Sequence, residues 1–250
     1  RSIYEYAWGD KNRALLGLGH VLHLIEDATV PDHTRDDPHP PFFGEGSPYE
    51  DWTRKFDKGH LDVISDLDGQ RPTILGSLED YFDVVAWYSN SNFFSKDTVF
   101  VKEYVRPKIA GEFIESIEGR NYRFGYGVDE SGTRYRLAKI EKDFGDEEIR
   151  YSIEDKGALI LTDYWSLLSK QAVLHGAGVV KLFFDEVEKE KKTKKLLAYN
   201  KSKPEKIVSS VVNTFLSPTL RQAQTDPELA EDLGLPRPPP PEAAVLAVAA

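Results

Sequence analysis

A short stretch near the amino end holds most of the side chains in this chain that could bind a metal ion. Four of the six histidines, His20, His23, His33 and His39, lie within twenty residues of one another, and Asp27 lies among them. Imidazole nitrogens and carboxylate oxygens suit zinc where no thiolate is available, and the chain contains no cysteine. The absence of cysteine also excludes disulfides, thiolate zinc fingers and cysteine nucleophiles.

The spacing of three of these residues places them on one face of a predicted helix. Residues 12–27 are apolar at nearly every position and follow Asp10, a suitable N-cap, and a helix of this kind is usually buried. His20, His23 and Asp27 follow one another at intervals of three and four residues, so they share one stripe. Polar groups on a buried stripe need partners, because unpaired buried polar groups are costly.

Further candidate ligands follow that helix. Pro31 ends it, His33 comes two residues later, and His39 and Glu50 lie in the next loop and at the start of the next predicted helix. One such histidine alone is more often a hydrogen-bonded core residue, but the clustering of several with acids at helical spacing favours a metal. The predicted metal ligands are His20, His23, Asp27, His33, His39 and Glu50.

These residues carry a resemblance to a known family. The segment LGHVLHLIEDATVPDH resembles the motif of the zinc-dependent phospholipase C family, a buried helix with H-x3-D followed by x3-P-x-H, and the S1/P1 nucleases share that fold and motif. His23, Asp27, Pro31 and His33 match the motif position by position. SPYEDW at 47–52 is similar to a family segment in which a glutamate ligand follows a tyrosine, which carries that role to Glu50.

The resemblance extends to a later helix and implies a fold. AVLHGAGVVKLFFDEV resembles the helix that packs behind the site in this family, so the similarity covers about residues 10–60 and 165–187. It implies a mainly α, multi-helix domain like those of phospholipase C and P1 nuclease. The expected domain spans residues 1–190, with a small β-hairpin insertion at about 121–153.

The activity implied by the resemblance is zinc-dependent hydrolysis of a phosphodiester, with a phospholipid headgroup as the expected substrate. Two or three zinc ions would bind the phosphate oxygens and lower the pKa of a bound water towards ~7. His23 and Asp27 would hold one ion, and Asp27, the catalytic candidate, would bridge to a second. His33 and Glu50, together with His39, would hold the other ion.

The sequence departs from the family pattern at several points. Gly46 stands where the family has a histidine, and His39 is expected to fill that vacancy; Val30 replaces the glutamine before the proline. The family also takes ligands from a segment before the motif helix that has no match in the residues preceding His23. The chain contains no methionine, even at position 1, so we expect a processed protein or a fragment, with weak or no activity on its own.

Two other functions remain open. The first is a nuclease of the same fold, against which the net charge of −10 argues, because phosphate contacts need Lys and Arg; no specific nucleic acid is therefore expected as a partner. The second is a non-catalytic binding module that a metal stabilises, which the missing family ligands favour. In the hairpin, Arg123, Arg134 and Arg136 could contact phosphate, although a solvated strand face is the commoner role of such residues.

The remaining sequence predicts further helices and a tail. Helices are expected at 49–58, 74–88, 98–118 and 157–188, and the last carries one buried seam that includes His175. Alternating residues around DESG predict the hairpin, with a third short strand after it.

Residues 191–250 are expected to form a flexible tail, rich first in lysine and then in proline. The lysine-rich run could touch anionic lipid. The apolar end AAVLAVAA is too short to cross a bilayer, for which ~20 residues are needed. By resemblance, the protein is expected to be exported, with an extracellular or cell-envelope location.

Overall fold

Two helices joined by a short turn begin the chain in the computed structural model. They are α1 (Ser2–Trp8) and α2 (Lys11–Asp27). The predicted N-cap of α2 is confirmed, because the Asp10 carboxylate accepts hydrogen bonds from the backbone N–H groups of Asn12 at 2.8 Å and Arg13 at 3.2 Å. The structure describes residues 1–37, 46–55, 65, 67–102, 104–142 and 149–202.

The described part of the chain is mostly helical with a small sheet insertion, as the sequence predicted. The helices that follow α2 are α3 (Pro31–Thr34), α4 (Pro48–Arg54), α5 (Leu78–Asn92), α6 (Leu159–Thr193) and α7 (Lys195–Ser202). Four antiparallel strands in sequence order lie between α5 and α6: β1 (Gly111–Ile117), β2 (Arg120–Val128), β3 (Arg134–Lys142) and β4 (Ile149–Ser152). The predicted hairpin and its third strand are therefore confirmed as β2, β3 and β4.

The prediction of a helix over residues 98–118 is wrong, because the chain there contains strand β1. This edge strand pairs with β2, with Phe113 opposite Phe124. The sequence of β1 does not show the usual alternation of apolar inward and polar outward residues. The apolar Ile114 is 62% exposed, while the charged Glu115 faces Arg136. A polar residue on the inner face and an apolar one outside remove the pattern by which a half-buried strand is recognised.

Two apolar clusters share helix α6. The carboxyl-terminal half of α6 packs with α1, α2 and α5 around Leu18, Ile25, Tyr81, Val179 and Phe183. The amino-terminal half packs on the sheet, where the Tyr164 hydroxyl donates to the Leu137 carbonyl at 2.9 Å. The predicted seam along α6 is confirmed, since its members from Leu161 to Leu182 are buried or half-buried, His175 among them.

Helix α2 is less buried than its composition predicted. Only Ala14, Leu18 and Ile25 are buried in it, whereas Leu16 is 64% exposed and Leu24 is 40% exposed. Its neighbours α1, α5 and α6 cover one side of the helix. Composition alone does not distinguish a helix that is covered all round from one that presents leucines at the surface.

The ends of several elements differ from the predicted ones. Helix α4 ends at Arg54 rather than at residue 58, and α5 is displaced by four residues towards Asn92. Helical structure continues through α7 to Ser202, into the segment predicted as a flexible tail, and the rest of that tail lies outside the described residues. Among the described residues, no helix combines the length and apolar character that crossing a membrane requires.

A glycine lets α6 approach the segment before α5 closely. A Cβ added at Gly178 would lie 1.9 Å from the Thr73 carbonyl oxygen and 2.5 Å from the Tyr81 hydroxyl. That hydroxyl donates to the Thr73 carbonyl and accepts from the Leu75 N–H, both at 3.0 Å. The backbone of residues 73–75 is therefore fixed against α6 at a position where no side chain fits.

We predict that Gly178→Ala lowers the free energy of unfolding by about 1–3 kcal/mol, because the new methyl overpacks against a backbone carbonyl. Gly176→Ala on the same helix is the control. Its Cβ would make an ordinary 3.7 Å contact with Leu22, and alanine favours a helix over glycine by about 0.5–1 kcal/mol. Urea unfolding of both variants tests this; a similar stability change in the two would contradict it.

Candidate metal centre

The end of helix α2 places the first two candidate ligands. Its last turn carries His23 and Asp27, which lie four residues apart and therefore on one face. The helix stops at Asp27, and the Thr29 hydroxyl donates to the Glu26 carbonyl at 2.6 Å, which satisfies one of the free carbonyls at this end.

The third ligand comes from the short helix α3. Pro31 occupies its first turn, where the N–H that proline lacks would have no helical partner, and the chain turns sharply there. The turn brings His33 back towards Asp27. Two side chains of helix α5 hold this turn by hydrogen bonds. The Ser89 hydroxyl donates to the Thr29 carbonyl at 3.1 Å, and the Asn90 amide donates to the Thr34 carbonyl at 2.5 Å.

The fourth ligand begins helix α4. The Ser47 hydroxyl accepts a hydrogen bond from the Glu50 N–H at 3.1 Å and caps the helix. Tyr49 is buried in the sheet-side core near Tyr164, and burial, followed by the charge of Asp32, raises the pKa of its phenol above the ordinary value. Because Tyr49 anchors the helix, the adjacent Glu50 is held at the surface with its side chain 32% exposed.

These four residues meet as a row of contacts. The His23 Nε2 atom lies 3.6 Å from Asp27 Oδ2, and His33 Nδ1 lies 3.9 Å from Asp27 Oδ1. On its other side, His33 Nε2 lies 3.6 Å from Glu50 Oε1. The structure thus brings together the two motif histidines and the two acids that the sequence singled out.

The separations in this row are informative. They exceed the length of a hydrogen bond, which ends near ~3.2 Å for nitrogen and oxygen. They are close to the about 3.3 Å that separates two ligand atoms on one tetrahedral zinc ion with bonds of about 2.0–2.1 Å. The two pairs at 3.6 Å, His23 with Asp27 and His33 with Glu50, are therefore spaced almost as two ligands of one ion, and the pair of His33 with Asp27 at 3.9 Å is wider.

The row does not close around a single point. In the described part of the chain, no group of three or more histidine or acid side chains is arranged to hold one ion. The reason is the orientation of His33, which turns opposite nitrogens towards Asp27 and Glu50, while Asp27 turns opposite oxygens towards His23 and His33. The donor chemistry fits zinc, and the geometry supplies pairs of ligands.

An open pocket lies beside the row. It has a volume of about 490 Å³, and Asp27 and His33 form one side of it. The opposite side comes from helix α5, where Trp87 is 53% exposed. The pocket thus has two candidate ligands on one wall and an indole on the other.

The other two predicted ligands are not part of this row. His20 lines a different cavity, between α1, α2, α5 and α6, although it lies one turn from His23. His39, which was expected to replace the family's loop histidine, lies outside the described residues.

A residue that the sequence analysis missed holds the ligand loop in place. The Arg35 side chain, two residues after His33, is fully buried. Its guanidinium donates to the carbonyls of Asn90 at 2.7 Å, Arg106 at 3.0 Å and Thr98 at 3.3 Å. Nothing in the local pattern of residues distinguishes this arginine from a solvated loop residue.

The surroundings of Arg35 stabilise a charge within the protein. The guanidinium carbon lies 4.0 Å from the centre of the Tyr104 ring, a cation–π contact. Burial lowers the pKa of Arg35, and the nearby groups Tyr104, Tyr164 and Asp37 oppose that effect. The side chain links the α3 turn to the end of α5 and to the segment that leads into the sheet.

The hairpin arginines have partners within the protein. The Arg136 guanidinium forms paired hydrogen bonds with Glu115 and with Asp163, at 2.9–3.0 Å. Burial raises the pKa of Asp163, and the hydrogen bonds and charge of Arg136 oppose that rise. Arg123 pairs with Glu112 at 3.4 Å, and Arg134 lies over the Tyr126 ring. These contacts give the arginines structural partners in place of the solvated strand face that is commoner, and contact with phosphate stays a prediction.

Comparison of the chain with models of protein families, with curated proteins and with solved structures found no match.

We predict that Arg35→Met lowers the free energy of unfolding by about 2 kcal/mol or more, because it leaves several buried carbonyls without a donor. Arg13→Met is the matched control, since the Arg13 side chain is 58% exposed and its loss should cost less than ~0.5 kcal/mol. Urea unfolding measures both changes. Equal stabilities for the two variants would show that Arg35 is not an anchor.

Proposed function

We propose that this chain is a zinc-dependent phosphodiester hydrolase, with a phospholipid headgroup as the substrate class and a phospholipase C-like fold. The proposal joins the resemblance of the motif around His23, Asp27, His33 and Glu50 to the meeting of those residues in space. An exported, extracellular or cell-envelope location belongs to the same proposal.

The observation that carries the proposal is the position of Asp27. One of its carboxylate oxygens faces His23 and the other faces His33, at separations near those of ligands that share an ion. A carboxylate with this arrangement can bridge two metal ions. The Nε2 atom of His33 and the carboxylate of Glu50 form a second pair, so the residues provide for two ions side by side.

The four residues of the row would bind two metal ions. His23 and Asp27 would hold one ion, and His33 and Glu50 would hold another. Asp27 would bridge to the second ion once the His33 ring turns, because in the structure Asp27 and Glu50 lie against opposite nitrogens of that ring. Bound zinc supplies a nucleophilic water at neutral pH and charge stabilisation for the phosphate.

The open pocket beside the row is where the substrate would bind. Its position next to Asp27 and His33 would bring a phosphate against the ligand row. Trp87 on the opposite wall offers an exposed indole face for an apolar or cationic part of the substrate. A choline-like cation is one headgroup that such a face could contact.

A second candidate function is a binding module that a metal stabilises without catalysis. It is favoured by the absence, within the described ranges, of any group of three or more ligands around one point. A catalytic zinc normally has three protein ligands and an open position. A site of two-ligand pairs could bind zinc weakly and serve to fix the α3 turn against α4.

We predict that the purified protein holds at least one zinc ion and that the double variant His23→Ala/His33→Ala holds none. His20→Ala is the matched control, because His20 is exposed on the same helix but lines another cavity. It should retain the wild-type zinc content. The measurement is elemental analysis after growth in zinc-replete medium and dialysis.

Two results would contradict the zinc site. One is wild-type protein without zinc, and the other is full zinc content in the double variant. Loss of zinc in His20→Ala at unchanged stability would instead assign His20 to the ligand set and would overturn its placement in the other cavity.

We predict that zinc-loaded protein hydrolyses a phosphodiester such as bis(4-nitrophenyl) phosphate or phosphatidylcholine only weakly, because the family's upstream ligands have no match here, and that Asp27→Asn reduces this weak rate at least about 100-fold. Changes beyond the ligands already cost ~10–100-fold, so loss of a bridging ligand should cost no less. Glu26→Gln removes the neighbouring exposed carboxylate and should leave the rate within about twofold. Zinc binding without any hydrolysis would favour the binding module.

A further inference from the structure

A second cavity lies on another side of helix α2. It has a volume of about 520 Å³, is partly open to solvent, and is lined by α1, α2, the segment at the start of α5 and the carboxyl-terminal half of α6. Its floor consists of Leu18, Val179 and Phe183, which are 3–8% exposed. Half-buried aliphatic side chains, Val21 and Leu182 among them, form the walls.

The polar residues of this cavity lie at its mouth. Arg1, His20 and Ser77 are exposed there, beside the partly exposed Leu24. Glu186 also reaches the edge, but its carboxylate pairs with Lys189 at 2.8 Å, which offsets its negative charge. The cavity is therefore apolar at the bottom and polar at the opening, where the Arg1 guanidinium is exposed.

We propose that this cavity binds one aliphatic chain with an anionic head, such as a fatty acid. The chain lies on Leu18, Val179 and Phe183, and the head remains at the mouth beside Arg1 and His20. Small-molecule sites typically have volumes of about 300–1,000 Å³, mostly apolar walls and a few placed polar groups, and this cavity has all three features.

The shape of the cavity favours a chain over a protein surface. Four elements line it around one compact space of about 520 Å³, whereas a helix or strand of a partner needs a groove that runs along several residues. The polar groups are confined to the opening, so a ligand must be apolar at one end and polar at the other. The apolar lining is aliphatic apart from the phenyl ring of Phe183 among the described residues, and such walls suit a flexible hydrocarbon better than a flat aromatic ligand.

The Arg1 guanidinium at the mouth determines the sign of the head group. The Arg1 Nε atom lies 3.6 Å from the Glu5 carboxylate, longer than a hydrogen bond, so the guanidinium can still donate to a ligand. Guanidinium groups bind carboxylates and phosphates through paired hydrogen bonds. An anionic head is accordingly preferred to an ester or an alcohol.

The first test is displacement of a fluorescent fatty acid by saturated fatty acids of 8, 12 and 16 carbons, below their micelle concentrations. Affinity should rise about fourfold per added methylene, which corresponds to ~0.8 kcal/mol, until the chain fills the cavity. Palmitate should bind at least about tenfold more tightly than its methyl ester. No displacement at any chain length, or equal binding of acid and ester, would overturn the proposal.

Two variants locate the site. Val21→Trp fills the cavity and should weaken palmitate binding at least about tenfold, whereas Leu16→Trp, on the same helix but 64% exposed and outside the cavity, should leave it within twofold. Because Val21→Trp could impair folding, Leu24→Glu serves as a second variant. Leu24 is 40% exposed, and a negative charge at the mouth should repel the head group.

The remaining outcomes also decide the matter. Equal palmitate affinity in wild type, Val21→Trp and Leu24→Glu would place the ligand elsewhere and overturn the proposal. So would binding to anionic vesicles without binding of free palmitate, which would indicate a membrane surface. His23→Ala/His33→Ala should keep palmitate affinity unchanged, so failure of the zinc site and failure of this cavity can be told apart.

Discussion

The buried charge of Arg35 is the interaction on which the rest of the candidate site depends. A guanidinium taken out of water is costly unless it is hydrogen-bonded, so its acceptors must stay where they are. Those acceptors belong to the end of α5, to the short turn at Lys96–Thr98 and to the segment before β1. One side chain thereby joins the ligand turn to the helical part and to the approach to the sheet.

Helix α6 supplies the second constraint, because it is shared by both apolar clusters. Its first half carries Tyr164, which reaches the backbone of β3 and of Phe94. Its second half carries Gly178, against which the segment before α5 closes. Helix α5 in turn holds the α2–α3 turn through the hydrogen bonds of Ser89 and Asn90. The position of α6 therefore determines, through α5, where the candidate ligands lie.

Periodicity allowed the long helices to be predicted from the sequence. Apolar residues recur at helical spacing along the whole of α6, which a strand or a loop would not show, and the N-cap Asp10 marks the start of α2. The same reasoning failed for β1, because Glu115 turns inward to Arg136 and Ile114 turns outward. An ion pair with a distant residue can reverse a strand's pattern, and no local pattern reveals it.

The candidate site was predictable to a similar degree. The motif spacing singled out the residues that meet, but it could not show which nitrogen of His33 faces which acid. Helical spacing also placed His20 with His23, although His20 lines the second cavity and His23 lies beside Asp27. A helical stripe is continuous along the helix, whereas the elements that pack beside it change from one turn to the next. The support from Arg35 depends on contacts more than fifty residues away in sequence.

The anchors beside the candidate ligands explain how these residues come together without being bonded to one another. Each ligand lies within a few residues of a group whose position is fixed by packing or capping: Pro31 lies two residues before His33, and buried Tyr49 lies directly before Glu50. The ligands do not have to hold the turn together through contacts with one another. Their mutual separations can therefore be those of ligand atoms rather than of hydrogen bonds, which would bring them too close for an ion to enter. The stability of the turn and its chemistry thus rest on different side chains, one or two positions apart.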